Sequence, residues 1–246
     1  MLILTGASDN HYSSLLNFID SFLLYCIKPL KLHKLIVYNL GLTKENWQNL
    51  QLKYKEYNSS IKYKIFDYSK YPEWFNINIE AGQYAWKPTI IYNEYLKNKN
   101  SIILWMDSGN LITDNLMNLQ KFLLDNGVFS GISSGNIETW TYPDTINYLK
   151  CTWTDKENRN GACIGFNIKK KFAKDLLVEF YNYSQIKECI APEGSNRSNH
   201  RQDQAVFTIL FYKYMMKYNF NQYNNTHSKI HLGYSIHNDI DSIVQK

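Results

Sequence analysis

Cysteine is scarce in this sequence and follows no pattern. Cys26, Cys151, Cys163 and Cys189 form no C-x-x-C pair, and no Cys/His cluster has zinc spacing. The simplest expectation is reduced, mostly buried thiols in a cytoplasmic protein. Long apolar runs are also missing. None approaches the ~18 residues a membrane span needs, so no integral membrane segment is expected. Met1 leads straight into Leu2-Ile3-Leu4 without a charged or long apolar leader, which adds to the cytoplasmic expectation. Basic runs interleaved with aromatics are absent, which argues against a nucleic-acid partner. The net charge of +5 is spread over many lysines, and suits an anionic small substrate and a solvated surface equally well. There is no internal repeat and no linker. With 246 residues the chain is long enough for one α/β domain with a sizeable core and too short for two comfortable ones.

Hydrophobic residues make up 44% and charged residues 20%, as in a globular protein. Their order alternates between two periods. Leu2-Ile3-Leu4, Leu35-Ile36-Val37-Tyr38, the alternating Ile61, Tyr63 and Ile65, Ile102-Ile103-Leu104-Trp105-Met106, Val128-Phe129-Ser130 and Ala162-Cys163-Ile164-Gly165-Phe166 read as strands. Leu15, Leu16, Ile19, Phe22 and Leu23 recur at helical spacing, as do Phe172, Leu176, Leu177 and Phe180. Thr43 reads as the N-cap of a polar helix to about Tyr57, Pro88 marks a helix start, and Val206, Ile209 and Leu210 begin a late helix to about Tyr218. Residues 133–160 read as polar and irregular. Such alternation implies a mainly parallel sheet with helices on both faces.

In open α/β sheets ligands bind beyond the carboxyl ends of the strands. Two polar clusters follow strands directly: residues 5–9, with Thr5, Ala7 and Asp9, and Asp107-Ser108-Gly109. A carboxylate at Asp107 can take a ribose hydroxyl or a divalent metal, and Gly109 admits a ligand close to the backbone. Taken alone, Asp107-Ser108-Gly109 is also ordinary turn chemistry. Lys87 sits at a helix start, where unpaired N–H groups attract anions, and a diphosphate is the expected partner. Asp203 falls in the first turn of the late helix, where the dipole is expected to keep it ionised. Such a carboxylate can steady positive charge at a sugar carbon, while Arg201 holds Asp203 or a phosphate. His231 and His237 in the tail are candidates to complete a metal site with Asp107.

Tyr84-Ala85-Trp86-Lys87-Pro88, the buried strand ending in Asp107-Ser108-Gly109, and His200-Arg201-Gln202-Asp203-Gln204 occur in that order. Together they resemble a group of GT-A-like glycosyltransferases with W-K-P, D-x-G and H-R-x-D-Q motifs, over residues 2 to about 218. The resemblance implies a single GT-A-like, Rossmann-like α/β domain. Residues 1–110 would form the nucleotide-binding half and residues 111–246 the acceptor side. It implies that residues 5–9 face the nucleoside, that Asp107 matches the first carboxylate of the D-x-D motif, and that Asp203 and Gln204 form the catalytic, acceptor-side pair of several retaining families. The third D-x-D position is Gly109, so the usual second carboxylate is missing and a Mn or Mg cofactor is in question. Lys87 and Arg201 would be the alternative means of neutralising the leaving group.

The expected activity is transfer of a sugar from a nucleotide donor, UDP-linked, to a hydroxyl of a glycan or other acceptor, with a lean towards retention. Trp140, Tyr142 and Trp153 are the expected acceptor wall. One alternative is a sugar nucleotidyltransferase, although residues 5–9 lack the arginine of its glycine-rich loop. The other is a non-catalytic glycan- or nucleotide-binding protein on the same fold, which the missing carboxylate favours.

Overall fold

A computed structural model describes residues 1–28, 33–98, 101–222, 232–236 and 240. Its strands are β1 (Leu2–Ser8), β2 (Lys34–Gly41), β3 (Ile61–Ile65), β4 (Ile102–Met106), β5 (Leu111–Ile112), β6 (Val128–Asn136), β7 (Glu157–Asn167) and β8 (Tyr234–Ser235). Its α-helices are α1 (Tyr12–Phe22), α2 (Lys44–Lys53), α3 (Trp86–Lys97), α4 (Met117–Asn126), α5 (Ile137–Trp140), α6 (Pro143–Tyr148), α7 (Lys171–Ser184), α8 (Lys187–Ile190) and α9 (Gln202–Tyr218). Six strands form one sheet in the order β3-β2-β1-β4-β7-β6, and β5 pairs with β8 beside it. Strands β3, β2, β1 and β4 run parallel, while β7 is antiparallel to both β4 and β6.

Successive residues of the central strands enter different cores. Leu2 and Leu4 of β1, with Ile103 and Trp105 of β4, join Ile90, Leu176 and Phe207 from α3, α7 and α9. Ile3, Leu104 and Met106 join Leu15, Phe18 and Leu119 from α1 and α4 on the other side. This is why those strands read as unbroken apolar runs: both faces are covered. Each such side chain, removed fully from water, contributes about 1.5–3 kcal/mol. The Thr43 cap is present, its Oγ1 accepting from Asn46 N–H at 3.2 Å, but α2 stops at Lys53 and not near Tyr57. All four cysteines are buried and none forms a disulfide. No described helix is long and apolar enough to cross a membrane.

The segment read as irregular contains more order than its polarity suggested. Strand β6 continues to Asn136 and β7 begins at Glu157, the two pairing through Ile132 with Arg159 and Asn136 with Glu157. Hydropathy missed this because Asn158, Arg159 and Asn160 are buried polar residues. Their partners are polar as well. Asn158 Oδ1 accepts from Thr208, and Arg159 donates to the Ser130 carbonyl while its guanidinium lies 4.4 Å from the Phe211 ring centre. The parallel strands send their carboxyl ends to one edge, and that edge carries the site.

Candidate active site

Beyond β1 and β4 lies a cavity of about 870 Å³, within the range of small-molecule sites. Ala7, Asp9, Asp107, Ser108 and Gly109 line it from the strand ends, and Lys87, Trp140, Arg201, Asp203 and Gln204 from the helical side. Asp9 also ties the end of β1 to the start of α2. Its Oδ1 accepts from Thr43 N–H at 2.9 Å and Asn46 Nδ2 at 2.9 Å. Slight desolvation opposes ionisation of Asp9, but these hydrogen bonds outweigh it and hold its pKa below the ordinary carboxylate value.

At the centre Lys87 bridges two carboxylates. Its Nζ is 3.2 Å from Asp107 Oδ1, 3.2 Å from Asp203 Oδ2 and 3.1 Å from the Gly161 carbonyl oxygen. Three oxygens thus surround an ammonium that has three N–H donors. Burial alone would lower the Lys87 pKa, but the two carboxylates outweigh it and the net shift is upward. Lys87 is therefore no surface cation waiting at a helix end. A diphosphate reaching it would have to compete with these three oxygens. Asp107 also accepts from Trp105 Nε1, and its side chain remains 38% exposed to the cavity.

Asp203 sits in the first turn of α9, as expected, and is ionised at neutral pH, but its pKa is raised rather than lowered. Burial pushes its carboxyl up. The Lys87 ammonium draws it down and the Asp107 charge adds to the rise, leaving it at about 6. Desolvation has overcome the helix dipole. Oδ2 accepts no well-aligned hydrogen bond from any described group, so its contact with Lys87 is one of charge more than direction. Gln204 stands next to it against β7. A Cβ at Gly161 would come within 3.2 Å of the Gln204 Cβ, so the glycine is what admits that approach.

The other members of the H-R-x-D-Q stretch hold this arrangement in place. His200 is fully buried. Its Nδ1 accepts from Tyr142 N–H at 3.1 Å, so the Nε2 N–H donates to the Ile190 carbonyl at 2.8 Å. Burial lowers its pKa to about 4, which makes it a neutral brace. Arg201 N–H donates to the Trp140 carbonyl at 3.0 Å, and its guanidinium stacks 3.9 Å from the Trp140 ring centre.

The W-K-P helix start is entered through an unusual turn. Glu80, Ala81, Gly82, Gln83 and Tyr84 all have φ between 46° and 59°. Left-handed backbone costs a non-glycine residue about 1–2 kcal/mol, so the surroundings must compensate. Trp86 Nε1 clamps the turn by donating to the Ala81 carbonyl at 2.9 Å. At Gly82 a Cβ would lie 2.1 Å from the Phe75 carbonyl oxygen. The turn presents Ala81 and Tyr84 to the cavity.

Three expected residues are not brought to the cavity. Thr5 is fully buried inside β1, and its Oγ1 has no hydrogen-bond partner among the described residues. Trp153 is half-buried and packs edge-on against Tyr212 at the margin of the core, 6.3 Å between ring centres. Tyr142 does not line the cavity and is held by His200 instead. Of the expected acceptor wall only Trp140 faces the space. Tyr84, Asn158, Asn160 and Arg197 line it although the sequence did not single out their roles. His231 and His237 lie outside the described residues. Among those described, no three His, Cys, Asp or Glu side chains gather as metal ligands. Asp107 already shares Oδ1 with Lys87, so the described residues do not by themselves fit a divalent metal.

The fold is that of GT-A-type glycosyltransferases: a single α/β domain with a mostly parallel central sheet. One solved structure, the galactosyltransferase LgtC in complex with donor and acceptor sugar analogues, superposes with a TM-score of 0.54 at 16% identity, over 86% of this chain and 70% of LgtC. The apo structure of the bifunctional glycosyltransferase WbbM superposes with a TM-score of 0.57 at 15% identity, over 87% of this chain and 37% of WbbM. A family model described as a protein of unknown function (DUF1647) matches residues 1–92. No curated protein matches.

Proposed function

We propose that this chain is a glycosyltransferase that moves a sugar from a UDP-linked donor to a hydroxyl of a glycan or other acceptor, with retention of configuration. The observation that carries this reading is the Asp107–Lys87–Asp203 bridge at the strand-end cavity. Residues 1–110 would hold the nucleotide and the later half the acceptor. Asp107, at the open edge, would engage the donor. Asp203, held by Lys87 and ionised above about pH 6, would steady the positive charge that develops at the sugar carbon as the diphosphate departs. Gln204 would orient the acceptor hydroxyl, and Trp140 would offer its face to a sugar ring.

Slow hydrolysis of a nucleotide sugar tests this reading, in a screen run with and without manganese. Asp203 takes up a proton as the pH falls through about 6, so kcat should decline across that window. Asp203→Ala should lower kcat strongly, change donor affinity little and remove that limb. A protein that binds nucleotide sugars tightly but never hydrolyses them would be the binding module. NMR of the first-formed product checks retention, and an inverted anomer would overturn that part.

A further inference from the structure

We infer that Arg197 and Arg201 form an oxyanion-binding subsite for a phosphoryl group of the substrate, on the wall of the strand-end cavity. The cavity is lined by one lysine and two arginines, Lys87, Arg197 and Arg201, by His11, and by three acidic residues, Asp9, Asp107 and Asp203. Their charges are not equally available. Lys87 is surrounded by its own protein oxygens, and Asp9 is engaged by Thr43 and Asn46. Neither arginine forms an ion pair with a described carboxylate. The cationic charge left for a ligand is thus concentrated on these two side chains.

Both guanidiniums also lie over aromatic rings. Arg201 lies 3.9 Å from the Trp140 ring centre, and Arg197 lies 5.2 Å from that of Tyr84, at the end of the left-handed turn. A guanidinium held over an aromatic face by cation–π attraction keeps its edge donors for other partners. That is the arrangement a planar fork needs to hold two oxygens at once. The two charges sense each other: desolvation first, and then the Arg197 charge, lowers the Arg201 pKa. Two like charges held near one another without a carboxylate partner are relieved by a bound anion. A phosphoryl group can come from two sources, the diphosphate of a nucleotide donor or an acidic group on the acceptor.

Calorimetric titration with inorganic pyrophosphate tests the subsite. Arg197→Gln and Arg201→Gln should each weaken pyrophosphate roughly tenfold, and the double variant more, while uridine affinity stays unchanged. Arg197 is exposed, so Arg197→Gln keeps the test interpretable if loss of the Trp140 stack disturbs the other variant. Repeating the titration on protein saturated with UDP separates the sources. Blocked pyrophosphate binding assigns the subsite to the donor diphosphate, whereas undiminished, arginine-dependent binding assigns it to the acceptor. Pyrophosphate affinity unchanged in the double variant overturns the proposal. Only the assignment of source rests on the glycosyltransferase reading. Arginine-dependent pyrophosphate binding without nucleotide binding would sink that reading and leave the subsite standing, and the reverse pattern would sink the subsite alone.

Discussion

Lys87→Met should lower the melting temperature by roughly 10 °C at pH 8 and abolish turnover. The ammonium is buried and compensates both Asp107 and Asp203. Removing it leaves two carboxylates facing one another, one of them fully buried. Breaking a buried ion pair from one side costs about 3–5 kcal/mol. In a domain of this size each kcal/mol is worth about 2–4 °C. Methionine preserves the length of the stem, so the loss is mainly electrostatic. The pH dependence separates this from a packing defect. Asp203 titrates near 6 and higher still once Lys87 is gone, so at pH 5 the repulsion is relieved by protonation and the gap to the wild type should narrow. Thermal denaturation at both pH values measures it. A gap equally large at both would mean a hole in the packing, and a wild-type melting curve would mean that the bridge does not hold the site together.

Asp107→Asn should reduce turnover by on the order of 10²–10³, the scale seen when one preorganised electrostatic group is removed, while the melting temperature moves by only a few degrees. The two effects separate because of where Asp107 sits. Its side chain is 38% exposed to the cavity, so its charge is not a large part of the folding balance. Asparagine keeps an oxygen to accept from Trp105 Nε1 and to face Lys87. What it lacks is the negative charge presented to the cavity. Single-turnover hydrolysis beside a thermal melt reads both quantities, and full activity in the variant would reduce Asp107 to a turn residue.

The architecture was legible because strands buried on both faces announce themselves: Ile102 to Met106 cannot be half solvated. The site was legible as separate residues and not as a bridge. Lys87 at a helix start obeys the local rule for an anion site, but its carbonyl partner Gly161 is 74 residues away in sequence. Only folding brings it and Asp203 to the ammonium. Asp203 is legible as an ionised residue of a first helical turn, but not its raised pKa, since the helix dipole is local and burial is not. Arg197 was invisible, because a cation in the polar loop of residues 193–199 carries no periodicity. The buried run Asn158-Arg159-Asn160 was misread for a related reason. Its partners are hydrogen bonds across β6 and α9, and a hydropathy pattern has no symbol for a satisfied polar core.

The pairing of a depressed histidine with an elevated aspartate inside one five-residue stretch has a consequence for proton linkage. His200 falls from 6.5 to about 4 on folding, and Asp203 rises from 3.8 to about 6. As the pH drops from 7 towards 5 the unfolded chain takes up a proton on His200 and the folded chain takes one up on Asp203. Stability is lost through the first and regained through the second, each acting between about pH 6.5 and 4. Stability depends on pH only through the difference in protons bound, and here that difference nearly vanishes. These two groups act as a proton exchange whose two ends belong to different states of the same molecule. Their fold contribution stays almost level through mild acid while the negative charge that Asp203 brings to the cavity is switched off.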